Sequence, residues 1–130
     1  PGADVSQKIL IVDDEVHLRA LLQQTLEELE DEGVELLTAS NGEEALAKVA
    51  SFNPDLILLD VMMPKKSGFE VCEALRADPA RAGLQIVMLT AKGRDTEVAK
   101  GLAIGADAYV TKPFSTKDLV VKVKSMLGVA

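Results

Sequence analysis

Four short apolar runs in this chain each end on a polar or charged side chain. Lys8-Ile9-Leu10-Ile11-Val12 ends on Asp13-Asp14, and Leu56-Ile57-Leu58-Leu59 ends on Asp60. Ile86-Val87-Met88-Leu89 ends on Thr90, and Ala108-Tyr109-Val110-Thr111 ends on Lys112-Pro113. Each run is short and rich in leucine or β-branched residues, the pattern of a parallel strand buried on both faces. Ligands of open parallel sheets bind outside the carboxyl ends of the strands. The runs therefore bring three carboxylates, one hydroxyl and one ammonium to a single edge.

That set suits a divalent cation and a phosphoryl group. Asp13, Asp14 and Asp60 repel one another unless one is protonated or a cation lies between them. An all-oxygen set with no His or Cys nearby favours a hard cation, Mg2+ first, with Mn2+ able to replace it. A carboxylate in such a set can act as a nucleophile toward phosphorus. Lys112 supplies positive charge for a phosphoryl oxygen, and Thr90 a hydrogen bond for another.

The elements that must position these groups alternate between strand and helix, which implies an α/β fold with a parallel sheet. Leu18, Leu21, Leu22, Thr25, Leu26 and Leu29 recur at helical spacing, predicting a helix from Glu15 to about Asp31 that ends at Gly33. Val34 to Ala39 reads as the second strand. Ser40-Asn41-Gly42 reads as a turn and cap before a helix from Glu43 to Ala50. A loop over Pro64-Lys65-Lys66-Ser67-Gly68 precedes a helix to about Ala77, with Phe69, Cys72 and Leu75 inward and Asp78-Pro79 beyond it. The fourth strand is expected over Gln85 to Thr90, and a helix from about Asp95 to Ile104 stops at Gly105. The fifth strand, Asp107 to Thr111, leads to Ser115-Thr116-Lys117-Asp118, read as a capping box. The last helix carries Leu119, Val123, Met126 and Leu127 on one face. The 130 residues are thus expected to form one domain of five βα units, ordered from about residue 8 to 127.

Composition excludes several classes. Fourteen basic against twenty-one acidic residues give a net charge of −7, the wrong sign for sequence-independent binding to nucleic acid or anionic lipid. No apolar run approaches the ~20 residues that span a bilayer. The N-terminal Pro1-Gly2-Ala3-Asp4-Val5-Ser6-Gln7 has neither the basic nor the apolar section of a signal peptide, and reads as a processed end or an expression scar. Cys72, the one cysteine, cannot form an internal disulfide, which points to a reducing cytoplasm and a buried thiol. His17, the one histidine, falls on the polar side of the first helix and is read as solvated.

At Val12-Asp13-Asp14-Glu15, Leu58-Leu59-Asp60-Val61-Met62-Met63-Pro64-Lys65-Lys66-Ser67-Gly68, Met88-Leu89-Thr90-Ala91 and Gly105 through Phe114, the chain resembles the receiver domains of two-component response regulators. The resemblance runs from Lys8 to Leu127. It implies a doubly wound, flavodoxin-like (βα)5 fold with strand order 2-1-3-4-5. It implies a phosphoryl acceptor at Asp60, supplied by a sensor histidine kinase or a histidine phosphotransfer protein. It implies Mg2+ held by Asp13, Asp14, Asp60 and the main-chain carbonyl of Met62. It casts Thr90 and Tyr109 as a switch pair, Lys112 as the phosphate-binding ammonium, and Lys112-Pro113 as a cis peptide. The side chains of Met62 and Lys92 are expected to flank the path of water to the phosphoryl group, with the small Ala91 leaving the site open. A downstream effector protein or domain is expected to read the surface of helix four, strand five and helix five. The domain is then no enzyme beyond its own phosphorylation and dephosphorylation. Receivers of the winged-helix transcription class carry an acidic residue and an Arg at positions here held by Ala108 and Lys122, which argues against their particular symmetric dimer.

Other readings fit less well. A haloacid-dehalogenase-type phosphatase needs a second Asp two residues after the nucleophile, where Met62 stands. A P-loop hydrolase or a flavin-binding flavodoxin needs a small, uncharged loop after strand one, where Asp13-Asp14-Glu15 stands. A degenerate, phosphate-independent receiver usually lacks an acid, the Thr or the Lys, all of which are retained here.

Overall fold

The computed structural model describes residues 7–63, 65–91 and 95–128. Five parallel strands, β1 (Gln7–Val12), β2 (Val34–Ala39), β3 (Leu56–Asp60), β4 (Gln85–Ala91) and β5 (Ala108–Lys112), lie in the order 2-1-3-4-5. Five helices alternate with them: α1 (Val16–Leu26), α2 (Gly42–Phe52), α3 (Gly68–Arg76), α4 (Asp95–Ile104) and α5 (Thr116–Leu127). This is the doubly wound fold expected. Pro1 to Ser6, Pro64 and Lys92 lie outside the described residues, so the expectations placed on them stay untested.

The period-two alternation of the strands sorts the core into two layers. Leu10, Val12, Ile57, Leu59, Ile86 and Met88 pack with Ala45, Val49, Val71, Cys72 and Leu75 of α2 and α3. Ile9, Ile11, Leu58, Val87 and Leu89 face the other way, onto Leu22 and Leu26 of α1 and Leu119 and Val123 of α5. Strands β1, β3 and β4 are buried almost throughout. β5, at the edge where the expected order 2-1-3-4-5 places it, departs from the expected burial on both faces: it is only half-buried, with Tyr109 exposed. Its apolar run marks a strand without fixing how deeply that strand is buried.

The first helix is shorter than its periodicity predicts. The α-helix ends at Leu26 and continues as a 3-10 segment over Glu27–Glu32, closed by Gly33 at φ 86°. Leu29 keeps helical spacing from Leu22 and Leu26 and is buried in the 3-10 segment, so the apolar spacing does not separate the two geometries. Five carboxylates in six residues beside a helix C-terminus disfavour continuing the α-helix there. The reciprocal capping box forms at Ser67 and Glu70, ahead of α3. At the expected place, Ser115 caps α5 by accepting the Asp118 N–H, and the return bond is not made. Asn41 caps α2, as read from the sequence.

α4 is the lightly seated element. Of its residues only Gly101 is buried, and Lys100 Nζ lies 4.5 Å from the centre of the Phe69 ring of α3. At its end, Arg76 of α3 donates to the Gly105 carbonyl and to Asp107 Oδ2, which also accepts the Ile86 N–H and so fixes the approach to β5.

Candidate functional site

The strand register assembles the site. Val12 pairs with Leu59, so the next residues, Asp13 and Asp60, leave β1 and β3 side by side. Asp60 pairs with Leu89 of β4, one residue before Thr90, and Ala91 pairs with Lys112 of β5. One carboxylate oxygen from each of Asp13, Asp14 and Asp60 lies within 4.8 Å of the other two. Asp13 and Asp60 are buried and Asp14 is exposed. Lys112 Nζ donates to Asp60 Oδ1 at 3.0 Å. The Lys112-Pro113 peptide is cis.

The electrostatics are those of a site short of positive charge. Burial pushes the Asp13 carboxyl up to about 6. The Glu15 N–H and the Lys112 ammonium pull it down, while Asp60 and Asp14 push it further up. Burial raises Asp60 too, against the opposing pull of Lys112. Asp13 Oδ1 accepts the Glu15 N–H at 2.9 Å, whereas Asp13 Oδ2 is buried with no hydrogen-bond partner among the described residues. A buried carboxylate oxygen normally has a partner. An orphaned oxygen in an all-carboxylate cluster is what a hard divalent cation fits, so the residues present match a metal of that class.

Thr90 is buried at the end of β4, and its Oγ1 is likewise without a partner. Tyr109 pairs with Met88 in the β4–β5 register, two residues from the Thr90–Thr111 pair on the same sheet face, and is 43% exposed. Met62, after Asp60, is 71% exposed. The structure therefore brings Asp13, Asp14, Asp60 and Lys112 together, with Thr90 at the adjoining strand end and Tyr109 turned to the surface. Cys72 is fully buried, where desolvation raises its thiol, and His17 is exposed; neither belongs to the site.

Two residues at the site went unread in the sequence. Gly68 opens α3 so close to β3 that a Cβ would overlap the Asp60 carbonyl oxygen, and its N–H donates to the Val61 carbonyl. Arg19 of α1 donates from Nη1 to the Asp13 carbonyl at 2.7 Å. Both act on main-chain atoms, and only Gly68 had a signal, its place just before an amphipathic run.

Residues 9–124 match the family described as the response regulator receiver domain. The chain is 47% identical over 123 residues to the alkaline phosphatase synthesis transcriptional regulatory protein PhoP of Bacillus subtilis (strain 168), covering 95% of this chain and 49% of that protein. It is 48% identical over 120 residues to the phosphate regulon transcriptional regulatory protein PhoB of Rhizobium meliloti (strain 1021), covering 92% of this chain and 52% of that protein. The chain spans about half the length of these curated relatives. The structure of the chemotaxis response regulator CheY4 of Vibrio cholerae superposes with a TM-score of 0.83 at 34% identity, covering 94% of this chain and 99% of that one.

Proposed function

The chain belongs to the response regulator receiver domain family of two-component signalling, and we propose that it accepts a phosphoryl group on Asp60. The donor is a phosphohistidine on a partner sensor histidine kinase or histidine phosphotransfer protein. The observation that supports this most is the setting of Asp60. It is a buried carboxylate at a strand end, with an ammonium 3.0 Å away on one side and two further carboxylates on the other.

In the proposed step an Asp60 carboxylate oxygen attacks phosphorus, and the bond from phosphorus to the donor imidazole nitrogen breaks. The electron pair stays on that nitrogen, which is protonated, and Asp60 becomes an acyl phosphate. Lys112 pairs with the developing charge on the phosphoryl oxygens. Asp13, Asp14, Asp60 and the Met62 carbonyl are the groups that would hold Mg2+, or Mn2+ in its place, which when bound offsets the negative charge brought together there. The domain catalyses nothing beyond its own phosphorylation and dephosphorylation.

The readout follows from Thr90. Its unpartnered hydroxyl is free to donate to a phosphoryl oxygen on Asp60, and its movement vacates space into which the Tyr109 ring turns. The α4–β5–α5 surface then presents different side chains, a two-state element biased by phosphorylation. An effector protein or domain reads that surface; the relatives, of which this chain spans about half, are transcriptional regulators. We take residues 1–130 as one receiver domain, cytoplasmic, which with a net charge of −7 does not itself bind nucleic acid or membrane. Among the described residues no helix is long and apolar enough to cross a membrane.

The test is intact-mass analysis after incubation with acetyl phosphate or phosphoramidate and Mg2+. The protein gains one phosphoryl group, and Asp60→Asn gains none. Equal labelling of Asp60→Asn overturns the assignment.

A further inference from the structure

The peptide unit that joins Asp13 to Asp14 carries two of the three clustered carboxylates, one on either side. Its carbonyl oxygen accepts a hydrogen bond from Arg19 Nη1 at 2.7 Å, a short contact to a charged donor. Just before that unit, the Asp13 N–H donates to the Ala39 carbonyl at 3.1 Å. Just after it, the Glu15 N–H is taken by Asp13 Oδ1. The turn from β1 into α1 is thus held at three successive points, and Arg19 provides the only one made by a side chain of the helix.

α1 needs such a tie. Glu15, its N-cap residue, makes no side-chain cap hydrogen bond, and no acidic residue stands in the first turn. Arg19 is also not a counter-ion of the cluster. It is absent from the ion pairs among the described residues, and Asp60 takes its partner from Lys112 instead. A guanidinium that bonds to the main-chain oxygen between Asp13 and Asp14, and to none of the clustered carboxylates, is serving geometry.

We infer that Arg19 is a positioning residue for the cation site: by holding the Asp13 carbonyl it sets the two carboxylates flanking that peptide unit at their mutual distance and leaves Asp13 Oδ2 free toward the cluster. The inference rests on the cation reading of the Asp13-Asp14-Asp60 cluster. Groups that orient metal ligands are worth about 10–100-fold in metal affinity when removed, and Arg19 belongs in that range.

The experiment is Mg2+ titration by calorimetry on the parent, Arg19→Ala and Arg19→Lys, with amide NMR spectra of the metal-free proteins confirming that each is folded. Arg19→Ala weakens Mg2+ binding tenfold or more, and Arg19→Lys, which keeps a charged N–H donor group without the fork geometry, recovers part of the loss. Unchanged or tighter binding in Arg19→Ala overturns the inference, since tighter binding is what loss of a repelling charge produces. If the parent binds no Mg2+, the cation reading fails separately, and the metal-free spectra still decide the role of Arg19. Displaced Asp14 and Glu15 amide signals in Arg19→Ala support it, and unmoved signals overturn it.

Discussion

Lys112 Nζ lies 3.0 Å from Asp60 Oδ1, although 52 positions of chain separate the two residues. The pair spans the β4 strand between them and joins the edge strand to the centre of the sheet. Its Asp60 side chain is 6% exposed and its Lys112 side chain 28%, so it is neither a surface pair nor a fully buried one.

Lys112→Ala is therefore expected to destabilise the metal-free protein by about 1–3 kcal/mol, between the values for exposed and buried pairs. In an Asp60→Asn background the same substitution costs much less. Urea denaturation of the four proteins measures the coupling, and equal cost in both backgrounds means that the ammonium and the carboxylate act independently.

The pH dependence of stability has two limbs. Asp13 titrates at about 6 in the folded chain against 3.8 ordinarily, so its charged form is disfavoured by folding. That cost grows as pH rises from 3.8 and is complete above about 6. Glu44, held low at about 2 by the Ser40 N–H and hydroxyl and then by Lys48, behaves oppositely: its contribution is present above 4.5 and is lost as pH falls toward 2. The two slopes oppose each other between 3.8 and 4.5, so the metal-free protein is expected to be most stable near pH 4 and to lose stability as pH rises from 4.5 to about 6. Asp13→Asn gains about 2–3 kcal/mol at pH 8 and no longer responds to Mg2+. In the parent, Mg2+ at a hundredfold excess over its dissociation constant adds about 2.7 kcal/mol at neutral pH, and its affinity falls as protons compete below about pH 6. Melting curves across pH, with and without Mg2+, read both limbs; a parent curve flat from pH 5 to 8 contradicts the Asp13 assignment.

Thr90→Ala separates acceptance of phosphate from its readout. The buried hydroxyl has no partner to lose, so stability changes by less than about 1 kcal/mol. Labelling by a small phosphodonor persists, while the donor-induced NMR shifts at Tyr109 and across α4 disappear. A shift pattern identical to the parent's removes Thr90 from the switch.

Under the proposed function, Met62 is expected to affect how long the signal lasts. Its side chain is largely exposed beside Asp60 and offers no hydrogen bond to orient an attacking water. Met62→Asn is expected to speed loss of the phosphoryl group after donor removal, with little effect on melting. Decay at the parent's rate or slower leaves Met62 as a surface residue of the loop.

Much of this site is legible in the chain because buried parallel strands read as unbroken apolar runs, and a polar residue ending such a run stands out. Asp13, Asp14, Asp60, Thr90 and Lys112 were visible in that way. What stayed hidden depends on contacts between distant segments or on main-chain atoms. Ala108–Lys112 reads as a run buried on both faces and proves half-buried, since an edge strand has a neighbouring strand on one side only. Leu29 satisfies an α-helix and a 3-10 segment alike. Arg19 is one exposed-looking charge on an amphipathic helix, and its target is a carbonyl that every residue possesses. Gly68 is needed for the space it leaves, which appears only when α3 is laid against β3.

The seating of α4 sets the scale of energy that a signal must supply. With Gly101 its one buried residue, and Leu102 outside, the helix has little apolar area to surrender if it slides. At about 25 cal/mol per Å2 of apolar surface, moving it is cheap beside disturbing α1 or α3, whose leucines reach the core. The phosphorylation proposed at Asp60 would thus redraw one flank of the molecule while the two-layered core remains as it was, and the reverse motion would be equally inexpensive when the signal ends.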